Sequence, residues 1–402
     1  MTTAPITQKA PDFAVLDGDF YGYEQELEPQ ELQALARIRD YMDTVVRPEI
    51  NGYWERAEFP QHMVAGLGEL GVLAFPFEET APFRNSAVFR GFVTLELARV
   101  DAGFSTLTGV SSGLVMGAIS LLGSEEQKAH WLPRLASGEA VGSFGLTEPL
   151  AGSDAAKGLR TTARREGDNW ILNGQKRWIG NATWGQVIII WARDEADDQV
   201  KGFVVPTSTP GYTATKIEGK YSQRTVQNAD IELTNLTLPE SARLPGANSF
   251  RDTARILART RVDVAWGAAG TAMGAYETAL AYAKERKQFG RPIGSYQLMQ
   301  DLLVKSLSNI TACIGMCVRA SEMLDRGVQE DHHSAMAKAF VTSRTREVVA
   351  WCRELFGGNG IDIDYDIIRY FNDAEALYSF EGTREMNTLI VGRHITGISA
   401  FV

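Results

Sequence analysis

The sequence predicts a mostly α-helical protein with a central β domain. Three observations carry that expectation. Apolar residues recur every three or four positions before about residue 140, short β-branched runs fill the middle, and three long helical periods follow. This order is not the strand–helix alternation of a doubly wound nucleotide fold. No G-x-G-x-x-G follows a strand, so a nucleotide would have to be held another way.

The helical part, residues 25–140, is carried by Leu32, Leu35, Ile38, Met42 and Val45, and then by Val88, Phe92 and Leu95. Within it STLTGVSSGLVMGAISLL, 105–122, is apolar or small nearly all round, as in a helix buried between others. The β part, 141–245, contains WILNG, QVIIIWAR, KGFVVP, YTATKI and ADIELTNLTL, punctuated by Gly, Asn, Asp and Pro. The second helical part, 246–402, is expected to hold long helices over 252–284, 296–324 and 334–356.

With 44% apolar and 22% charged residues the 402-residue chain has the composition of a soluble globular protein. No charge-free apolar run of about 18 residues is expected to span a bilayer. The opening MTTAPITQKAPDFAV lacks the order of a secretion or transit signal, and Ala400-Phe401-Val402 is not a peroxisomal address. Three late cysteines make no disulfide framework, so a cytoplasmic location is expected. A net charge of −10, with no basic tract, argues against nucleic acid as a partner.

Some patterns weaken on inspection. GVSSG, 109–113, fits G-x-S-x-G, but a hydrolase nucleophile needs a strand, a sharp turn and a helix, and this copy lies in a helical run. Cys313 and Cys317 share a helical face, yet nothing completes the roughly four ligands that zinc requires, so packing and no metal are expected. His332 and His333, in QEDHHS, are expected in a solvated loop.

Other stretches carry more. FGLTEPLAGSD, Phe144–Asp154, joins a strand end to a loop of hydroxyls and glycines able to face an anionic or heteroaromatic ligand. In KRWIGN, Trp178 either fills a core or covers a flat ring, and core packing is the default for a lone tryptophan. ERKQFGRP supplies Arg286, whose fork suits pyrophosphate, while FGGNG has more glycines than a helix cap needs. In YSFEGTREMN one carboxylate, Glu381, stands between an aromatic ring and a glycine.

Together, FGLTEPLAGSD, KRWIGN, ERKQFG, FGGNG and FEGT resemble, in order and approximate spacing, the acyl-CoA dehydrogenase family. The resemblance runs from about residue 25 to the C-terminus. Within the family the chain is most similar to the branch of glutaryl-CoA dehydrogenases and plant peroxisomal short-chain acyl-CoA oxidases, notably in RWIGN, ERKQFG and GRHITGISAF.

The resemblance implies a helical N-terminal domain, a β-barrel-like middle domain and a four-helix-bundle C-terminal domain. It also implies a homotetrameric FAD enzyme that oxidises an acyl-CoA to the trans-2-enoyl-CoA. Phe144, Leu146, Thr147, Ser153, Trp178, Ile179 and Gly180 would line the flavin or the thioester. Ser111, Ser112, Ser153, Arg261 and Gly382 would face the substrate. Arg286, Phe289, Gln297, Phe356, Gly357, Gly358 and Gly360 would meet FAD from a partner subunit, with Thr383 and Glu385 near its adenosine half. Glu381 aligns with the catalytic base, whose basicity burial beside Phe380 would raise. Thr260 stands where some relatives carry the base and cannot serve.

Two departures bear on the chemistry. Glutaryl-CoA dehydrogenases hold the distal carboxylate with an arginine on the helix matching Ala98–Gly109. Here Ala98, Ser105, Thr106 and Gly109 stand at the matching positions and none of them is an arginine, so a short, uncharged acyl chain is expected over glutaryl. Gly180 replaces the Thr or Ser that bonds flavin N5 in most dehydrogenases, which leaves an electron-transfer flavoprotein or O₂ as acceptor. A DNA-associated flavoprotein disagrees with the acidic surface. A non-catalytic binding protein would be expected to lose Glu381, and nitroalkane oxidation uses Asp there.

Overall fold

The computed structural model describes residues 16–401. The targeting expectations for the first fifteen residues and for Val402 lie outside the described residues.

Helices come first. α1 (Pro29–Tyr41) starts with proline in its first turn and a Glu28/Glu31 capping box, and runs through a π-helical turn into α2 (Arg47–Arg56). The short α3 (Val64–Glu69) precedes α4 (Ala87–Val100), which is capped by Ser86. After Asp101, α5 (Ala102–Thr108), a π-helical stretch Gly109–Met116 and α6 (Gly117–Leu122) form one continuous helix. α7 (Glu125–Ala136) follows on a Ser124/Gln127 capping box.

GVSSG therefore lies inside a helix and lacks the strand and turn of a nucleophile elbow. That same helix corrects one expectation, because Ala102–Leu122 is charge-free and long and apolar enough to cross a membrane. It is 67% buried inside the protein, packed between other elements. A second helix, Gln297–Asp325, passes the same test of length and hydropathy.

The middle of the chain is a seven-stranded sheet: β1 (Gly142–Gly145), then a short helix α8 (Ala155–Gly158), β2 (Thr162–Glu166), β3 (Asn169–Gly180), β4 (Val187–Asp194), β5 (Val200–Pro206), β6 (Tyr212–Lys216) and β7 (Asn228–Pro239). Their order is β1-β4-β2-β3-β7-β6, with β5 on β4. VIIIWA of β4 is apolar throughout because both faces are covered. Val187, Ile189 and Trp191 enter a core shared with α6 and α7, while Ile188, Ile190 and Ala192 enter the sheet's other core.

The last part is a helical bundle. α9 (Phe250–Glu285) opens on a Ser249/Asp252 capping box and ends at a two-stranded hairpin, β8 (Lys287–Gln288) and β9 (Arg291–Pro292). α10 (Gln297–Asp325), α11 (Asp331–Leu355), α12 (Ile367–Ser379) and α13 (Arg384–Thr396) complete it. Cys313 and Cys317 are buried, free thiols in its core.

His332 and His333 form the first turn of α11 and not a loop. Glu330 caps that turn, and His332 stacks on His394 at 3.4 Å between ring centroids.

One packing detail positions the site. A Cβ on Gly91 would lie 2.1 Å from Trp266, one on Gly270 2.3 Å from the Leu95 carbonyl, and one on Gly274 2.1 Å from the Arg99 carbonyl. α4 and α9 thus run parallel at backbone contact, which requires glycine at these points.

Candidate active site

Three of the quoted motifs, FGLTEPLAGSD, KRWIGN and FEGT, meet at one cavity of about 930 Å³, bounded by β1, the end of β3, α9 and the α12–α13 turn. Its size suits a mostly apolar ligand with a few fixed polar groups.

The β3 wall is shaped by a bulge. Pairing with β7 slips between Lys176 and Ile179, and Trp178 adopts φ +65°, outside the usual range for a bulky residue. The indole leaves the pleat, faces the cavity and remains 50% exposed. The default core packing of a lone tryptophan is not what is found, and Trp178 stands at the cavity, where the family resemblance also puts it. Gly180 also lines the cavity, and a Cβ there would meet only Val226 and Asn228, at 3.4 and 3.9 Å, so the wall is open beside it.

The β1 wall is tied to the bulge by a buried ion pair. The Lys176 ammonium donates to Glu148 Oε1 at 2.8 Å and to the carbonyls of Leu146 and Trp191. Glu148 also accepts the N–H groups of Arg160 and Thr161. Burial pushes Lys176 down to about 8 against the pull of Glu148. At Glu148 burial works upward, but Lys176 and the hydrogen bonds prevail and hold it below the usual carboxylate value. The loop bearing Leu146 and Thr147 is thereby fixed to β3.

The third wall is the turn between α12 and α13. Glu381 takes φ +50° and Gly382 φ +84°, and Thr383 caps α13. Such a conformation at a glutamate needs support. Lys338, fully buried on α11, donates to the carbonyls of Phe380 and Gly382, and Asn387 Nδ2 donates to those of Gly382 and Thr383.

The carboxylate of Glu381 faces the cavity and accepts from Thr260 Oγ1 at 2.8 Å. Burial raises its pKa above the ordinary 4.5, while the Thr260 hydrogen bond, Lys338 and Arg261 oppose the rise. Arg261 also lines the cavity and pairs with Asp331.

The hydroxyl of Thr260 donates to the charged carboxylate and so favours ionisation. Thr260→Val is expected to raise the Glu381 pKa further, moving the acid limb of the kcat/KM–pH profile to higher pH. An unmoved limb would remove Thr260 from the site's proton chemistry.

Of the residues singled out in the sequence, Phe144, Leu146, Thr147, Ser153, Trp178, Ile179, Gly180, Ser112, Arg261, Gly382 and Thr383 share this cavity with Glu381. The hydroxyl of Ser112 is buried without a protein partner among the described residues. Ser111 stands behind the wall, its hydroxyl accepting from Gly142 N–H. Glu385 is exposed beside Arg384.

Arg286, Phe289, Gln297, Gly357 and Gly358 lie away from the cavity on the exposed surface. Phe356 and Gly360 point to packing. The Phe356 ring stacks on Tyr282 at 4.1 Å, and a Cβ on Gly360 would meet the Arg353 carbonyl at 2.5 Å.

Among the cavity and turn residues that escaped the sequence are Lys338, Asn387, Arg90 and Asp263. Of these only Lys338 left a signal, as a charge in register with the apolar face Ala335, Val341 and Thr345.

Sequence profiles for the three acyl-CoA dehydrogenase domains match in order: the N-terminal domain over residues 28–139, the middle domain over 143–236 and the C-terminal domain over 250–396. The chain belongs to the acyl-CoA dehydrogenase family. Among its relatives in this family is the probable acyl-CoA dehydrogenase YngJ of Bacillus subtilis, 32% identical over 92% of this chain and 99% of that one.

Glutaryl-CoA dehydrogenase from Mycobacterium smegmatis superposes with a TM-score of 0.91 at 39% identity, covering 95% of this chain and 98% of that one. A structure of a glutaryl-CoA dehydrogenase from the same organism, in complex with FADH2, has the same TM-score and coverage at 36% identity. Butyryl-CoA dehydrogenase from Megasphaera elsdenii gives 0.86 at 26% identity over 96% of this chain and 99% of that one. Acyl-CoA dehydrogenases are FAD enzymes, and this chain has their three-domain fold.

Proposed function

We propose that this acyl-CoA dehydrogenase converts a short, uncharged acyl-CoA to its trans-2-enoyl-CoA, with Glu381 as the base. The observation that carries the proposal is the enclosed Glu381 carboxylate, raised in pKa by burial and held on a braced turn at the cavity wall.

The residues present fit a flavin. Trp178 offers a flat, half-exposed face, Phe144, Leu146 and Ile179 an apolar wall, and Thr147, Ser153 and the unpartnered Ser112 hydroxyl supply hydrogen-bonding groups. When bound, FAD supplies the two-electron acceptor for the hydride leaving the substrate's β carbon. Glu381 takes the α proton. The N–H of residue 381 is assigned to the thioester oxygen, where developing negative charge needs a donor. Lys338 keeps that N–H and the carboxylate in place by fixing the carbonyls on either side of Glu381.

The partner-subunit roles of Arg286, Phe289, Gln297 and the Gly357–Gly358 turn belong to a homotetramer. Support comes from apolar side chains left on the surface of the last helical part, among them Phe289, 95% exposed, with Leu298, Ile361 and Ile398. Thr383 and Glu385 are assigned to the adenosine side. The buried free thiols suit a cytoplasmic, reducing setting.

The acceptor is proposed to be an electron-transfer flavoprotein. The open wall at Gly180 favours a second reading, an oxidase that passes electrons to O₂. In air, the dehydrogenase is expected to yield far less peroxide than enoyl-CoA; near-stoichiometric peroxide would establish the oxidase. Rapid turnover of glutaryl-CoA with release of CO₂ would overturn the substrate assignment.

A further inference from the structure

Among the charged side chains that line the cavity and take no part in the chemistry above are Arg90 and Asp263. Arg90, on α4, donates through Nη1 to the Asn85 carbonyl at 3.2 Å and to Asn85 Oδ1 at 2.8 Å. Its Nε and Nη2 have no hydrogen-bond partner among the described residues. Asp263, on α9, accepts no hydrogen bond among them either, and no direct ion pair joins the two. The parallel contact of Gly91 with Trp266 nevertheless brings Arg90 and Asp263 close enough for each to act on the other's charge.

Each acts on the other through space. Burial pushes Asp263 up to about 7, opposed by Arg90 and reinforced by Glu381. Burial lowers the pKa of Arg90, with Asp263 the first charge opposing it. α5 brings no cation to the cavity, and Arg90 of α4 supplies one, but it stands beside a carboxyl.

That pairing selects among acyl chains. An alkyl end would leave a guanidinium and a carboxyl unsatisfied against it. A terminal carboxylate would meet Arg90 but would also lie against Asp263 and in the field of Glu381. A hydroxyl accepts from Arg90 and donates to Asp263 at once. Asp263 follows Thr260 by three residues, roughly 4.5 Å along the helix, so the group is met a few carbons beyond the one facing Glu381.

We propose that the acyl group of the physiological substrate carries an uncharged hydroxyl near its far end, gripped between Arg90 and Asp263. This inference rests on the acyl-CoA reading and narrows its substrate class.

The test uses three five-carbon thioesters, pentanoyl-CoA, 5-hydroxypentanoyl-CoA and glutaryl-CoA. Their affinities are read from perturbation of the flavin absorbance in Glu381→Gln holoenzyme. The hydroxylated ligand is expected to bind at least about tenfold tighter than pentanoyl-CoA, with glutaryl-CoA weakest. Asp263→Leu and Arg90→Met, each added to that background, should bring the hydroxyl preference to one or below. The milder Asp263→Asn and Arg90→Gln should reduce it.

Equal binding of the plain and hydroxylated chains, or tightest binding of glutaryl-CoA, overturns the proposal. Because affinity is measured without turnover, this result stands apart from the base assignment, which fails if Glu381→Gln holoenzyme still bleaches.

Discussion

Glu381→Gln is expected to slow anaerobic flavin bleaching by acyl-CoA about 10²–10⁴-fold, the range for loss of a general base. The substitution is nearly isosteric. Its amide oxygen can still accept from Thr260 Oγ1, and the braces from Lys338 and Asn387 act on backbone carbonyls and are untouched. The yellow FAD spectrum and the melting temperature should therefore persist while proton abstraction is lost. No other carboxylate takes over. Asp263 and Glu375 line the same cavity, but Asp263 lies beside Arg90 and Glu375 pairs with Arg346, and Thr260 cannot act as a base. Bleaching at the wild-type rate would remove Glu381 from the mechanism.

Breaking the Glu148–Lys176 pair has the largest expected effect on stability. Lys176→Met leaves Glu148 in a nearly closed pocket with its counter-charge gone, and Glu148→Gln leaves the lysine likewise. Loss of one member of a buried pair costs about 3–5 kcal/mol. The damage is not confined to folding, because the same ammonium holds the Leu146 carbonyl and so the loop that lines the cavity. Each single variant should unfold at lower urea and release FAD more readily. The double variant Glu148→Gln/Lys176→Met should recover part of the loss, since no unpaired buried charge remains. Single variants as stable as the wild type would show that the pair does not organise this wall.

Much of the fold was legible because its causes are local. The capping boxes at Ser124 and Ser249, the apolar spacing of α9 to α11 and the continuous VIIIWA strand are each set within a few residues. The misplaced histidines show the limit: QEDHHS has the composition of a loop, yet Glu330 turns it into the start of a helix. Trp178 shows another. Nothing in KRWIGN announces that pairing with β7 slips there, so residue type alone favoured a core for Trp178 and only the family likeness put it at a ligand; the slip is what swings it onto the cavity.

The site divides in the same way. By itself the sequence determined the α, β, α order and set Glu381 between an aromatic ring and a glycine, with the family likeness marking that carboxylate as the base, because residue type and short-range spacing carry them. Only the tertiary structure decided what Glu381 touches: Thr260 lies 121 positions away, and Lys338 reaches over more than forty to pin the turn. Arg90 and Asp263 meet for the same reason. Glycine-mediated contact between α4 and α9 brings distant charges into one low-dielectric cavity, and no local pattern in the chain encodes that proximity.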